Sequence, residues 1–125
     1  MTSARLFLVL GALVAALGVG LGAFGAHGLK ERLSADMLAV FETGVRYHLV
    51  HALGLIAVAL TAFHLGETGW FKGAGWVMVV GLVIFPGTLY ALALGGPRWL
   101  GAVTPLGGTA FIVAWVLLAV AVLRA

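Results

Sequence analysis

The stretch Thr43 to Leu55, TGVRYHLVHALGL, runs from a charged segment directly into a long apolar segment. A helix that crosses a bilayer needs roughly 20 predominantly apolar residues. We therefore expect a transmembrane helix over about 45–64, with a group of polar side chains where it enters the membrane. These side chains are Arg46, Tyr47, His48 and His51.

The composition of the whole chain agrees with a membrane location. Of its 125 residues, 63% are hydrophobic and only 9% are charged, whereas a soluble domain has roughly 45–50% apolar and about 25% charged residues. Four spans would use about 80 residues, which leaves room for short loops but for no separate soluble domain. The prediction is an all-α integral membrane protein whose single domain, residues 1–125, is a four-transmembrane-helix bundle.

Charge and cysteine content exclude several kinds of site. The formal net charge is only +3, and the positive residues are scattered near the ends of hydrophobic runs, so no nucleic-acid partner is expected. The chain has no cysteine, which excludes disulfides and thiolate metal sites. Lysine and arginine are divided three against four between the two sides of the four spans, so charge alone does not orient the protein.

The remaining helices are predicted outward from the opening stretch. Helix one is expected over about 6–26, helix three over about 73–94 and helix four over about 105–123, with helix two over about 45–64. The segment at about 35–44 is apolar on one helical face and charged on the other. It predicts a short amphipathic interfacial helix between helices one and two, or the protruding start of helix two.

Caps, bends and kinks are expected at a few polar, glycine and proline positions. Ser34 is the expected N-cap of the interfacial segment, and Gly44 is the expected bend after it. Thr104 and Pro105 predict the N-cap and the first residue of helix four. Pro86, inside helix three, predicts a kink and a backbone carbonyl freed about one turn earlier.

Small residues recur along helix one at spacings of four, three, four and three, which places them on one helical face. In lipid, small residues let helix backbones approach closely. With three partner helices in the same chain, an intramolecular packing seam is favoured over a homodimer face. The residues are Gly11, Ala15, Gly18, Gly22 and Gly25.

Polar side chains are concentrated at one membrane face. In an array of four spans, the end of helix one, the start of helix two, the end of helix three and the start of helix four lie at the same side. His51 lies about two turns inside the apolar run, where its imidazole needs a hydrogen-bond partner, and Tyr90 or the carbonyl freed by Pro86 is the expected one. The candidate polar or ligand cluster is His27, Tyr47, His51, Tyr90 and Thr104.

Two interpretations of this cluster remain open. His51 with His48 or His27 could hold a metal, a haem or a quinone headgroup. Alternatively, the histidines are structural side chains that fix the helix register, which is the favoured interpretation. No Ser-His-Asp or paired-carboxylate arrangement can be read from the spacing, so no catalytic residue, metal site or cofactor is predicted.

Four ordered motifs resemble those of a known family. They are GAFGAHGL at 22–29, TGVRYHLVHALGL at 43–55, FPGTLYALAL at 85–94 and VTPLGGTAFIVAW at 103–115. Together they resemble the domain of unknown function 423 family of small bacterial membrane proteins, which is similar to the transmembrane protein 256 group. The resemblance implies a four-helix inner-membrane protein with both termini in the cytoplasm. In that family the position of His48 is commonly glutamine, which argues against a metal role for His48 and leaves it outside the candidate cluster.

These observations favour a non-catalytic protein over an enzyme. The leading hypothesis is an accessory, assembly or lipid- or quinone-binding subunit of the membrane. The alternative is a small oligomeric transporter or channel, suggested by the glycine-rich first helix and the Pro86 break. A metal or redox enzyme that uses His27 and His51 is the third hypothesis. The expected partner is the lipid bilayer, and a homo-oligomer or a membrane-protein partner stays open.

Overall fold

The computed structural model describes residues 1–125 and contains four long helices and no strand. Each helix is long and apolar enough to cross a membrane, with lengths between 24 and 31 residues. The predicted all-α bundle of four transmembrane helices is therefore confirmed. The helices are α1 at Ser3–Phe24, which continues as a π-helical turn at Gly25–Leu29, α2 at Ala35–Leu65, α3 at Gly69–Ala93 and α4 at Leu100–Leu123.

Helix α2 lies at the centre of the bundle. In its apolar segment 44% of the residues are buried, against 17–22% in the other three helices. Helix α1 packs on α2, α2 on α3 and α3 on α4, while α1 and α4 do not pack on each other. Helices α1 and α3 meet where the ring of Phe7 lies against Gly75, and the rings of Phe111 and Trp115 reach from α4 to α2.

The apolar side chains divide between a core and an outer surface. The outer surface exposes many large hydrophobic residues, among them Leu13, Val83 and Ile112, which is the expected state of residues that face lipid. The main buried core joins all four helices. Its members are Phe7, Leu55, Val58, Ala59, Ala74, Met78, Phe111 and Ala114.

The small residues of α1 lie against α2. A Cβ atom at Gly11 would be 3.1 Å from the carbonyl oxygen of Ala52, so backbone approaches backbone here. Ala15, on the same stripe, is half-buried. This row of small residues, the glycine stripe, packs against α2 within the same chain. One or two side chains of α2 lie opposite each of its glycines. Gly11 faces Ile56, Gly18 faces His48 and Leu49, Gly22 faces Val45, and Gly25 faces Phe41.

The segment 35–44 is not a separate interfacial helix, so that prediction is wrong, and its alternative, the start of helix two, is what the structure shows. The predicted cap at Ser34 is present, because the backbone N–H of Met37 donates to its Oγ at 3.2 Å. From there α2 continues without interruption to Leu65, since it contains no proline and its two glycines, Gly44 and Gly54, stay helical. Gly44 serves close packing instead of a bend: a Cβ atom there would lie 2.8 Å from the ring of Tyr90.

Helix α4 begins at Leu100, earlier than predicted, and Thr104 is not its N-cap. The first turn is set by Pro97, whose carbonyl accepts from the backbone N–H of Leu100 at 3.1 Å. Pro97 itself lies outside the helix, and the residue directly before the first helical residue is Trp99, which makes no side-chain cap. The predicted start at Thr104–Pro105 therefore lies about one turn too far along the chain. Pro105 then lies within the helix, near its N-terminal end.

Helix α3 runs through Pro86, which is fully buried. The backbone of the neighbouring helix α4 packs directly beside it, since a Cβ atom at Gly107 would lie 2.5 Å from the backbone nitrogen of Phe85. Backbone atoms cannot move aside as a flexible side chain can. The contact between α3 and α4 at this level therefore requires glycine at position 107.

The side of the bundle that carries both chain termini is held by two polar contacts. The carboxylate of Glu67, in the α2–α3 loop, accepts a hydrogen bond from the backbone N–H of Ala4 at the start of α1. A negative charge at a helix N-terminus also interacts favourably with the helix dipole. The guanidinium of Arg124 lies 5.2 Å from the ring centre of Trp70. Loop and termini are thereby connected on this side.

Candidate functional site

His48 connects three helices. It is 5% exposed, and its Nε2 atom lies 2.7 Å from the carbonyl oxygen of Val14 in α1. Its Nδ1 atom lies 2.8 Å from the hydroxyl of Tyr90 in α3. A carbonyl oxygen only accepts, so Nε2 carries the proton and, in the neutral ring, Nδ1 accepts from the Tyr90 hydroxyl. Both nitrogens of His48 are therefore occupied within the protein.

Glycines make room for the His48–Tyr90 pair. A Cβ atom at Gly18 would stand 3.1 Å from the imidazole of His48. Gly44, one turn before His48 on α2, leaves the space into which the Tyr90 ring packs. The ring of Phe41 covers Tyr90 at 4.9 Å between ring centres. The pair is thus enclosed by residues from the glycine stripe of α1 and from the N-terminal half of α2.

His51 is equally buried but is held differently. Its Nδ1 atom lies 2.7 Å from the carbonyl oxygen of Tyr47, four residues earlier in the same helix, so Nδ1 carries the proton and donates. The ring stacks on Phe111 of α4 at 3.6 Å between ring centres and an angle of 10°. The predicted partners of His51 are wrong: Tyr90 pairs with His48, and the carbonyl comes from α2 and not from the turn before Pro86.

The second ring nitrogen of His51, Nε2, makes no hydrogen bond within the chain. The only hydrogen bond of this side chain is the one from Nδ1. No fully buried polar side-chain atom in the protein lacks a partner. It follows that Nε2 is not fully buried and is accessible from the surface of the protein. In the neutral tautomer fixed by the Tyr47 carbonyl, Nε2 is an acceptor and has no proton to donate.

Thr104 forms a third polar contact, between α3 and α4. Its Oγ1 atom lies 2.7 Å from that of Thr88, and each oxygen also lies 3.1 Å from a carbonyl of its own helix, that of Leu100 or of Phe85. A hydroxyl has one proton, so one threonine donates to the other while the second donates to its own carbonyl. Thr104 therefore holds helices together and offers no free group.

The predicted cluster is thus divided in the structure. Tyr47 stacks beside His51 with an angle of 7° between their rings, but Tyr90 and Thr104 each pair with another residue. His27 lies exposed in the π-helical turn and joins none of them. His48, left out of the prediction, is the residue with most partners. A usable signal was the implied glutamine at that position, because glutamine also carries both a donor and an acceptor.

A cavity of about 220 Å³ lies beside His48, between α1, α2 and α3. Leu17 and Val83, at its rim, are 58% and 69% exposed, so the cavity opens sideways towards lipid and not along the bundle axis. The nitrogens of His48 are already paired, which leaves the wall without a free polar group. The lining residues are Leu10, Val14, Leu17, His48, Leu55, Val79, Leu82 and Val83.

Comparison with known proteins places the chain in a family. The sequence model of the family described as "Protein of unknown function (DUF423)" matches residues 21–108. The chain belongs to the DUF423 family. This DUF423 protein is 49% identical to the UPF0382 membrane protein YwdK of Bacillus subtilis, over 96% of the chain and 98% of that relative. No solved structure matches it.

Two further relatives of the DUF423 protein are named in the same way. A UPF0382 membrane protein of Staphylococcus epidermidis is 43% identical over 96% of the chain and 97% of the relative. A UPF0382 membrane protein of Staphylococcus saprophyticus is 44% identical over 93% of the chain and 95% of the relative. These names state a membrane protein and no activity. With four apolar helices, this DUF423 chain is a multi-pass membrane protein of a family of unknown function.

The matched segment contains the side chains of all three polar contacts, since His48, His51, Tyr90 and Thr104 lie within residues 21–108. Val14 lies outside it but contributes only its backbone carbonyl to His48. Any residue at position 14 other than one that breaks the helix would supply the same acceptor. In this DUF423 protein no three His, Asp or Glu side chains come together as a metal-binding group.

Proposed function

We propose that this DUF423 protein is a non-catalytic subunit of the cell membrane that binds the apolar chain of a lipid in the cavity beside His48. The observation that carries the proposal is the sideways opening of this cavity between Leu17 and Val83. For comparison, a dry apolar cavity of about 150 Å³ in another protein binds benzene. A cavity of about 220 Å³ accordingly accepts a segment of an acyl or isoprenoid chain.

The chemistry of the wall supports an apolar occupant. Seven of its eight residues are hydrophobic, and the eighth, His48, has both nitrogens engaged with Val14 and Tyr90. A polar headgroup or a metal ion placed here would find no free donor or ligand atom. A hydrocarbon chain loses nothing by leaving lipid for such a wall, and gains close packing.

The distribution of charge supports a non-catalytic role. All four carboxylates of the chain are exposed, and none lines the cavity. The buried histidine and threonine side chains bond to neighbouring helices or to their own backbone, as structural polar groups do in membrane proteins. General acid–base chemistry needs a proton donor or acceptor within hydrogen-bond reach of a substrate, and the cavity presents none.

The orientation is part of the proposal. Four spans place both termini on one side of the membrane, and the family resemblance favours the cytoplasmic side of the inner membrane. The contacts of Glu67 and Arg124 would then lie in the cytoplasm. The other face, with the π-helical turn and His27, would lie outside. A tag accessible only from one side of sealed vesicles tests this assignment.

Lipid binding is tested by photo-crosslinking in membranes. A phospholipid with a diazirine in its acyl chain is incorporated into nanodiscs with the protein, and labelled residues are mapped by mass spectrometry. We expect Leu17, Val79 and Val83 to be labelled well above the outer face of α4 at Ile112. Labelling of the cavity residues at or below the level of Ile112 would disprove the proposal.

A matched pair of variants separates cavity binding from general contact with lipid. Val83→Trp places a large ring at the rim of the cavity, whereas Val80→Trp places it on the outer face of the same helix; both positions are exposed. We expect Val83→Trp to reduce labelling of Leu17 about tenfold, which corresponds to a loss of about 1.4 kcal/mol in the free energy of lipid binding. Val80→Trp should leave the labelling unchanged. Equal effects of the two variants would contradict the cavity as the binding site.

A further inference from the structure

The side of α2 that faces α4 carries an unpaired polar atom, independently of the cavity beside His48. His51 is 5% exposed, and its Nε2 atom has no partner in the chain. In the hydrocarbon core there is no bulk water to supply one, and an unpaired polar atom there is unfavourable. We propose that His51 Nε2 accepts a hydrogen bond from the hydroxyl of a lipid-soluble hydroquinone that enters from the bilayer between α2 and α4.

The surroundings of His51 favour a flat ring over a flexible chain. Phe111 stacks on one face of the imidazole, and Trp115 lies 5.8 Å away between ring centres at an angle of 58°. Tyr47, one turn before His51 on α2, and Trp115 on α4 are 42% and 39% exposed, so both aromatic side chains are accessible from the lipid. Aromatic walls of this kind bind other aromatic rings through stacking and edge contacts. The His48 cavity, in contrast, has an aliphatic wall.

The depth of His51 excludes the hydroxyl groups of ordinary phospholipids. The last charged residue before it on α2 is Arg46, which marks the approximate edge of the hydrocarbon core. At 1.5 Å per residue, His51 lies roughly 7 Å further in. Glycerol and headgroup hydroxyls stay at the polar surface. A hydroxyl that reaches His51 must therefore belong to an apolar molecule that dissolves in the core, such as a hydroquinone with an isoprenoid tail.

The tautomer of His51 sets which redox form binds. Because Nδ1–H donates to the carbonyl of Tyr47 at 2.7 Å, Nε2 is an acceptor. A hydroquinone presents hydroxyl donors, whereas the corresponding quinone presents only carbonyl acceptors. Binding a quinone would require the proton to move to Nε2 and the bond to Tyr47 to break. The site is accordingly selective for the reduced form, and no electron transfer is needed for this selectivity.

The test is a titration of the protein in nanodiscs under anaerobic conditions, followed by ¹⁵N NMR of its histidine side chains. Three probes share one ring and one short tail: a benzohydroquinone, its dimethyl ether and the matching benzoquinone. We expect the hydroquinone to shift the Nε2 resonance of His51 and to bind about tenfold more tightly than either other probe. His64, exposed near the end of the same helix, should not respond.

Two variants complete the test. His51→Leu should abolish binding of the hydroquinone, and His64→Leu should leave it unchanged. Equal binding of hydroquinone and dimethyl ether, or tighter binding of the quinone, would overturn the proposal, as would unchanged binding to His51→Leu. The wild-type titration keeps the proposal falsifiable if His51→Leu fails to fold, because an unmoved His51 resonance at saturating hydroquinone disproves it alone.

Discussion

Two histidines three residues apart on α2 are equally buried and yet have opposite roles in the bundle. His48 gives both nitrogens to other helices, one to the backbone of α1 and one to Tyr90 of α3. His51 gives one nitrogen to its own helix and leaves the other unpaired. Burial alone therefore does not tell whether a histidine in a membrane helix is structural. What distinguishes the two cases is whether the hydrogen-bond partner lies on another helix or on the histidine's own helix.

The difference arises from what lies opposite each ring. His48 faces the glycine stripe of α1, where Gly18 lets the helix backbone come within hydrogen-bond distance. His51 faces the aromatic side of α4, where Phe111 and Trp115 fill the space with rings that accept no ordinary hydrogen bond from it. A small residue opposite a histidine favours a helix-to-helix bond, and a large aromatic residue favours stacking.

The largest effect is expected for His48→Leu. The substitution removes the bonds to Val14 and Tyr90 and leaves the Tyr90 hydroxyl without a partner. Hydrogen bonds between membrane helices are worth about 0.6 kcal/mol on average, and an unpaired buried group adds about 1–3 kcal/mol. We expect the free energy of unfolding to fall by about 2–3 kcal/mol, measured by reversible unfolding in mixed micelles.

His48→Gln is the matched control for this prediction. Its amide can donate to the Val14 carbonyl and accept from the Tyr90 hydroxyl, so we expect a loss below about 1 kcal/mol. This is also the residue that the family resemblance implies at position 48. If His48→Gln is as unstable as His48→Leu, then the imidazole ring and not its bridging bonds stabilises the bundle, and the contrast with His51 fails.

A somewhat smaller effect is expected for Gly44→Ala, which crowds the Tyr90 partner of His48. The new methyl group would lie 2.8 Å from the Tyr90 ring, and overpacking of this kind destabilises by about 1–3 kcal/mol. Gly20→Ala is the control, because a Cβ atom there meets nothing within 4 Å. It should stabilise α1 slightly through helix propensity. Equal unfolding free energies for the two variants would contradict the packing role of Gly44.

The effect of Tyr90→Phe should be about 1–2 kcal/mol, because it removes one hydrogen bond and leaves Nδ1 of His48 without a donor, but keeps the ring between Phe41 and Gly44. A double-mutant cycle with His48→Leu isolates the bond between the two side chains. We expect a coupling of about 0.5–1 kcal/mol in unfolding free energy. Strict additivity of the two variants would show that Tyr90 and His48 do not stabilise each other.

Hydropathy was sufficient to predict the four spans, because lipid forces every backbone hydrogen bond to be made within a helix or a closed barrel. Helix ends were less predictable. Thr104–Pro105 carries a helix-start signal, but the helix already begins four residues earlier, at Leu100, without a side-chain cap. Likewise Gly44 suggested a bend, but glycine serves equally where another helix approaches, and the sequence does not distinguish the two uses.

The polar cluster was predictable as a region but not as a set of pairs. Topology correctly indicates that Tyr47, His51, Tyr90 and Thr104 lie on neighbouring helix segments, yet pairing depends on rotations of a few tens of degrees about each helix axis. A rotation of about 60° separates His48 from His51 on α2, since residues three apart are offset by that angle. Nothing in the sequence indicates that the backbone carbonyl of Val14 accepts a hydrogen bond from His48.

The smallest effect is expected for His51→Phe, and it decides the comparison. Phenylalanine keeps a ring against Phe111, removes the unpaired Nε2 and loses only a bond to the Tyr47 carbonyl, which still accepts from the backbone of α2. The change in unfolding free energy should stay within about 0.5 kcal/mol without added ligand. A loss above about 1.5 kcal/mol, comparable with that of a helix-bridging side chain, would mean that His51 holds helices together as His48 does. A near-neutral result would show that His51, unlike His48, contributes no helix-to-helix hydrogen bond to the stability of the bundle.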